Sequence, residues 1–174
     1  EFRRVLFRST RYREGIYVGY RYFDAAGIKP IFPFGFGLSY TDFEMSDMKI
    51  SKVSEKECGS SVTSGTSRQE EESVYLRVEV SVTNRGTMAG AEVVQCYVSD
   101  LQCSVARPVK ELKAYEKVFL EPGETKRIVL GLSRRAFAFF DGDRREFTVE
   151  PGEFLILVGN SSAHCTLSDR VSVG

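Results

Sequence analysis

Val74 to Thr83 reads VYLRVEVSVT, and this stretch decides the fold class. Val74, Leu76, Val78, Val80 and Val82 alternate with Tyr75, Arg77, Glu79, Ser81 and Thr83. Successive side chains of a strand point to opposite faces, so this period of two makes one face apolar and the other wet. Asn84-Arg85-Gly86 follows with turn chemistry, and Glu92 to Ser99 returns as a second long strand through Val93, Val94, Cys96, Tyr97 and Val98.

The same grammar continues toward the C-terminus. Pro108 marks an edge or loop before Val109 to Leu120, where Leu112, Tyr115, Val118 and Leu120 are apolar, and Glu121-Pro122-Gly123-Glu124 is a turn. Lys126 to Leu132 alternates Ile128, Leu130 and Leu132 against Arg127, Val129 and Gly131, and the cluster Phe137, Phe139 and Phe140 comes next. Asp141-Gly142-Asp143 turns, Arg145 to Val149 is a short strand, and Pro151-Gly152 turns before Phe154 to Val158. Short strands punctuated by turns about every 8 to 12 residues, with no helical period anywhere, predict an all-β sandwich. In the other direction, Ser51 to Glu72 loses all periodicity. Rich in Ser, Thr, Gly and charge, it buries too little area to offset the entropy of ordering, and the expectation is a mobile loop. Leu38 to Ile50 is expected to be the first strand.

Glu14 to Phe43 is different in kind. It holds nine aromatics (Tyr17, Tyr20, Tyr22, Phe23, Phe32, Phe34, Phe36, Tyr40 and Phe43) among five glycines and two prolines. That is too aromatic for a solvated loop and too punctuated for a helix. An extended segment of this kind is ordered by packing into a seam between larger bodies, so it is expected to be a tether between two domains.

The run Glu14-Gly15-Ile16-Tyr17-Val18-Gly19-Tyr20-Arg21-Tyr22, with Phe32-Pro33-Phe34-Gly35-Phe36-Gly37-Leu38-Ser39-Tyr40-Thr41 after it, resembles the segment that closes the second domain of glycoside hydrolase family 3 enzymes. Downstream, GAEVVQCYVSD (90–100), RPVKELKAYE (107–116), LEPGET (120–125), RRAFAFF (134–140) and PGEFLILVGN (151–160) resemble the C-terminal fibronectin type III-like domain of that family, in the family's order. The resemblance covers about residues 14 to 162. It implies a fibronectin type III-like, or immunoglobulin-like, β-sandwich at residues 37–174, preceded at 14–36 by the closing segment and linker of an α/β domain. Residues 1–13, with five arginines and one glutamate, stand outside the pattern and read as a solvated tail or a gene-assembly scar.

Charge and composition exclude several functions. Lys and Arg number 24 and Asp and Glu number 24, so no global field draws the chain to nucleic acid or an anionic membrane. No stretch approaches the roughly 18 apolar residues of a membrane span. Cys58, Cys96, Cys103 and Cys165 lack CxxC or metal spacing, so neither a zinc site nor any cofactor is expected. Cys96, set among apolar strand residues, reads as a buried thiol. Unpatterned cysteines lean toward a cytoplasmic setting, with a secreted or periplasmic one left open. His164, the single histidine, sits in a polar terminal stretch and reads as a surface residue.

Glycoside hydrolysis needs two carboxyl groups about 5 to 5.5 Å apart in retaining enzymes, and nothing in the chain pairs them. Asp141-Gly142-Asp143 lacks the further oxygen ligands of a calcium loop and reads as a β-turn. Glu70-Glu71-Glu72 reads as a solvated charge run. In the resembling family, the aspartate nucleophile lies in an N-terminal barrel and the acid/base glutamate precedes the segment matching Glu14 to Tyr22. Neither has a counterpart here, so no catalytic residue is assigned and the chain alone is expected to be inactive.

The resemblance implies a parent that is a retaining exo-β-glycosidase on β-glucosides or related sugars. Within it, this domain braces the catalytic domains, with an oligomer interface as a further role. Tyr17, Tyr20, Arg21, Tyr22, Phe32, Phe34, Phe36 and Tyr40 are the candidate interdomain anchors, with the Arg21 guanidinium expected to stack on a ring or grip a carboxylate of the preceding domain. The rival expectation is an independent carbohydrate-binding or adhesive module. It ranks lower because the chain has no Trp to serve as a sugar platform.

Overall fold

The computed structural model describes residues 13–53 and 73–174. The terminal arm up to residue 12, Cys58, the 70–72 charge run and most of the expected loop lie outside the described residues. Valines and leucines of β2 (Val74–Asn84) form the inner face of a three-stranded antiparallel sheet in which β2 lies between β1 (Phe43–Lys52) and β5 (Thr125–Ser133). The facing sheet is also antiparallel and runs β4 (Glu111–Leu120), β3 (Gly90–Asp100), β8 (Gly152–Ser161), β9 (His164–Val173). A small hairpin of β6 (Phe139–Asp141) and β7 (Glu146–Thr148) projects between β5 and β8 in the chain.

The core lies between the two sheets, and the alternation of β2 is expressed from Leu76 onward: Leu76, Val78, Val80 and Val82 are at most 1% exposed, while Val74, beyond a register shift, stays outside the core. Opposite them stand Val94, Cys96 and Val98 of β3 and Phe154, Ile156 and Val158 of β8. A 3₁₀ turn at Arg134–Phe137 drives Phe137 into one end of this core, where its ring meets Phe154 edge-on at a centroid distance of 5.1 Å. Fully burying one such side chain contributes about 1.5–3 kcal/mol, so the paired valine and leucine faces supply the main stabilisation.

Three features depart from the sequence reading. The first strand starts at Phe43, not Leu38, because Thr41 is drawn into a buried hydrogen bond with Asn84 and pairing begins at Phe43 against Asn84. The polar terminal stretch around His164 is a strand, β9, at the sheet's edge. Cys165, Leu167, Val171 and Val173 are its more buried residues, while His164 is exposed. The segment before the sandwich is not extended throughout. Tyr20–Ala26 forms a short helix, α1, between Gly19 at φ 60° and the left-handed Gly27 at φ 65°. Seven residues are too few for a helix that is stable alone, and its side chains show what holds it.

Asn84 sits where the sheets meet at one end. It is fully buried, and every hydrogen-bonding position of its carboxamide is used. Its Oδ1 accepts from Thr41 Oγ1 at 2.7 Å and from the Gly86 N–H at 3.0 Å, and its Nδ2 donates to the Met88 carbonyl at 2.8 Å and the Leu120 carbonyl at 3.1 Å. What the sequence presents as turn chemistry is a buried knot joining the tether's end, the β2–β3 turn and the end of β4.

Candidate functional site

On β3, Val94, Cys96 and Val98 face the core, so Gln95 and Tyr97 point to the outside of the sheet, yet both are buried. The tether covers them. Tyr20 of α1 lays its ring against Phe34 at 5.2 Å and meets Tyr97 edge-on at 5.7 Å, and its hydroxyl accepts the Leu112 N–H of β4 at 2.8 Å. Tyr97 donates its phenol to Gln95 Oε1 at 2.5 Å, and Gln95 Nε2 donates to the Asn160 carbonyl at 2.7 Å. Ser162 donates its N–H to the Phe34 carbonyl at 2.8 Å. Gly35, at φ +83°, lies so close over Gln95 that a Cβ there would collide with the carboxamide, which is the physical requirement for glycine at this point.

Charges lock the helix to β4. Asp24 pairs with Lys110 at 2.7 Å, and Arg21 pairs with Glu111 at 3.3 Å. Glu111 also takes Arg107 at 3.0 Å and Lys113 at 3.4 Å. Arg107 is itself nearly buried and adds Asp100 and the carbonyls of Phe137 and Ala138 to its partners. Burial alone pushes the Glu111 carboxyl up, but Lys113, Arg107 and Arg21 outweigh it and hold the group below its usual range. Lys113 is held below its ordinary value, first by burial and then by Arg107 and Arg21, against the pull of Glu111. Burial, then Cys165, Tyr20 and Asp24, pushes the Tyr97 phenol up, and burial pushes the Cys96 thiol up to about 12.

The structure brings Tyr20, Arg21 and Phe34 onto the sandwich. It leaves Tyr22, Phe32, Phe36 and Tyr40 exposed, with Tyr17 half-buried and Phe34, though stacked on Tyr20, still 50% exposed. The carboxylate that Arg21 grips belongs to this sandwich. Glu111, Arg107, Lys110, Gln95 and Tyr97 complete the anchor, and sequence reasoning passed over them. Gln95 carried a usable signal: a carboxamide inside an otherwise apolar strand needs a partner when buried.

A second feature is a cavity of about 420 Å³ between Ser104 and Val105 and the β6–β7 hairpin. Two of its carboxylates, Asp141 and Glu150, take hydrogen bonds from neighbouring backbone and side-chain groups. Asp141 Oδ1 accepts the N–H groups of Asp143 and Arg144, confirming a turn at this place, and Glu150 accepts from Ser104. No three His, Cys, Asp or Glu side chains converge as metal ligands among the described residues.

The two facing antiparallel sheets and their connections define the class of protein. Residues 92–162 match the family model of the fibronectin type III-like domain. The β-glucosidase DesR of Streptomyces venezuelae, solved with D-glucose, superposes with a TM-score of 0.78 at 37% identity, over 94% of this chain and 19% of that one. A GH3 β-glucosidase of Bifidobacterium adolescentis superposes with a TM-score of 0.77 at 35% identity, over 92% of this chain and 21% of that one. The thermostable β-glucosidase B of Acetivibrio thermocellus is 47% identical over 164 residues, which are 94% of this chain and 20% of that protein. Over more than nine-tenths of its length the chain is therefore similar to a region of glycoside hydrolase family 3 β-glucosidases that carries a fibronectin type III-like domain, and it spans about a fifth of the length of these relatives.

Proposed function

We propose that the chain is the C-terminal, non-catalytic structural domain of a family 3 glycoside hydrolase, and that the larger protein is a retaining exo-β-glycosidase acting on β-glucosides or related sugars. The domain braces the catalytic domains through its tether. One observation carries this reading. The tether is fastened to the sandwich on one side by Tyr20, Arg21 and Asp24, and on the other it presents Ile31, Leu38 and Tyr40 at 91%, 82% and 92% exposure. Large apolar side chains left exposed this densely along one ten-residue segment mark an interaction site. Each of these side chains gains about 1.5–3 kcal/mol on full burial, enough for three of them to hold a seam together. Residues 14–36 act as the closing segment of the preceding domain, and 37–174 as the bracing sandwich.

The reading is tested with an aryl β-glucoside. The chain alone is expected to release no aryl group, whereas the longer polypeptide containing it does. Turnover by the chain alone that survives repurification and disappears when its own carboxylates are replaced would overturn the proposal. Saturable binding of a polysaccharide by the chain, with residues 14–33 resistant to protease, would point instead to an independent module.

A further inference from the structure

We propose that the outer face of β4, through Tyr115, Lys117 and Phe119, belongs to the same docking surface as the tether, and that its occupant is the remainder of the longer polypeptide. The inference rests on the structural-domain reading above and extends it to residues outside the tether. Tyr115 and Phe119 are 59% and 54% exposed. In the β3–β4 register Tyr115 stands opposite Gln95, Lys117 opposite Val93 and Phe119 opposite Ala91. They therefore lie on the outer side of the sheet, the side on which the tether covers Gln95 and Tyr97.

The tether meets this face beside Tyr115. Gly35 lies on Gln95, and the side chains of Ser39 and Thr41 lie beside Gly90. Gly35 thus meets the outer face one strand spacing, about 4.8 Å, from Tyr115, whereas Ser39 and Thr41 meet Gly90 on its core-facing side, beside Phe43, where the tether turns into β1. That course leaves Leu38 and Tyr40 exposed, and Met88, next to the same strand end, is 55% exposed.

The chemistry of the face selects its partner. Tyr115 and Phe119 are four residues apart on a strand, so their rings project about 13 Å apart with the Lys117 ammonium between them. Lys117 has no ion pair among the described residues. On the opposite sheet, Arg127 pairs with Glu79 and Arg85 with Glu44. Aromatic anchors around one unpaired cation fit a protein surface with two apolar pockets flanking a carboxylate or carbonyl acceptor. A second copy fits poorly, because a two-fold contact centred on this strand sets Lys117 against Lys117. The remainder of the polypeptide is attached through the tether itself, which places it at high effective concentration over β4.

Hydroxyl-radical footprinting read by mass spectrometry tests the proposal on this chain and on the longer polypeptide, each at low and high concentration. Oxidation of Tyr115 and Phe119 is expected to fall several-fold in the longer protein at both concentrations, with Phe140 and Phe147 unchanged. Protection of Tyr40 without protection of Tyr115 and Phe119 overturns the assignment of β4 and leaves the domain reading standing. Full oxidation of Tyr40 as well sinks both. Protection of Tyr115 and Phe119 in the chain alone that grows with concentration assigns the face to a second copy and overturns the proposed occupant.

Discussion

Replacing Asn84 by Ala removes the knot at one end of the sandwich while leaving both apolar sheet faces intact. Four groups lose their partner: the Thr41 hydroxyl, the Gly86 N–H, and the carbonyls of Met88 and Leu120. The bonds to Thr41 and Leu120 are buried, and those to Gly86 and Met88 are partly buried. A buried group left without a partner costs about 1–3 kcal/mol, whereas water can reach the two groups at the rim. Counting only the buried pair gives a loss of about 4 kcal/mol, a large part of the roughly 5–15 kcal/mol that holds a domain together. For a chain of this size that corresponds to a fall in Tm of about 8–15 °C. Urea unfolding followed by circular dichroism measures it directly, with an unchanged m-value as the sign that only stability has moved. Asn84→Asp separates the two halves of the knot. It keeps both acceptances but sets a carboxylate against two carbonyl oxygens, so its stability is expected to recover as the pH falls and the group regains a proton. A loss below about 1 kcal/mol for Asn84→Ala with the m-value unchanged would refute the reasoning, since it is less than the cost of one buried orphan.

Glu111 has a folded-state pKa below its ordinary value of 4.5, so its contribution to stability is present above that value and lost as the pH falls through the folded one. Glu111→Gln is accordingly expected to cost about 2–4 kcal/mol at neutral pH and to flatten the acid limb of the stability curve, measured by urea unfolding from pH 3 to 7. Cys96, with its thiol pushed up to about 12 by burial, is expected to react with iodoacetamide only at the rate of global unfolding, while Cys103 and Cys165 react sooner; peptide mapping by mass spectrometry decides it. Gly35→Ala combines a positive φ with a collision against Gln95, so the tether is expected to lift from β3. Proteolysis within residues 14–40 is then expected to quicken several-fold while the amide-exchange protection of β2 stays unchanged.

The sandwich was legible in the chain because burial on one face of a strand writes itself into the sequence with a period of two. Leu76 to Val82 and Ile128 to Leu132 are core because nothing else suits that alternation, and Gly123 and Gly142 stand in turns where strands reverse. The terminal strand β9 was overlooked because at a sheet edge only part of the alternate side is covered, and the intervening His164, Ser168, Asp169 and Arg170 mask the period. The aromatic segment reads as one that must be covered, since nine aromatics in thirty residues are seldom left in water, yet Tyr22, Phe32, Phe34, Phe36 and Tyr40 stand exposed on this chain. Which aromatics it places on its own domain was not legible, because that depends on residues far along the chain. Tyr20 meets Leu112, Asp24 meets Lys110, Phe34 meets Ser162, and Asn84 joins Thr41 to Leu120. Local preference and hydrophobic period act within a few residues, and they determined the strands. The knot at Asn84 and the charged clasp at Glu111 exist only after folding has brought distant residues within hydrogen-bond range, and only the tertiary structure decided them.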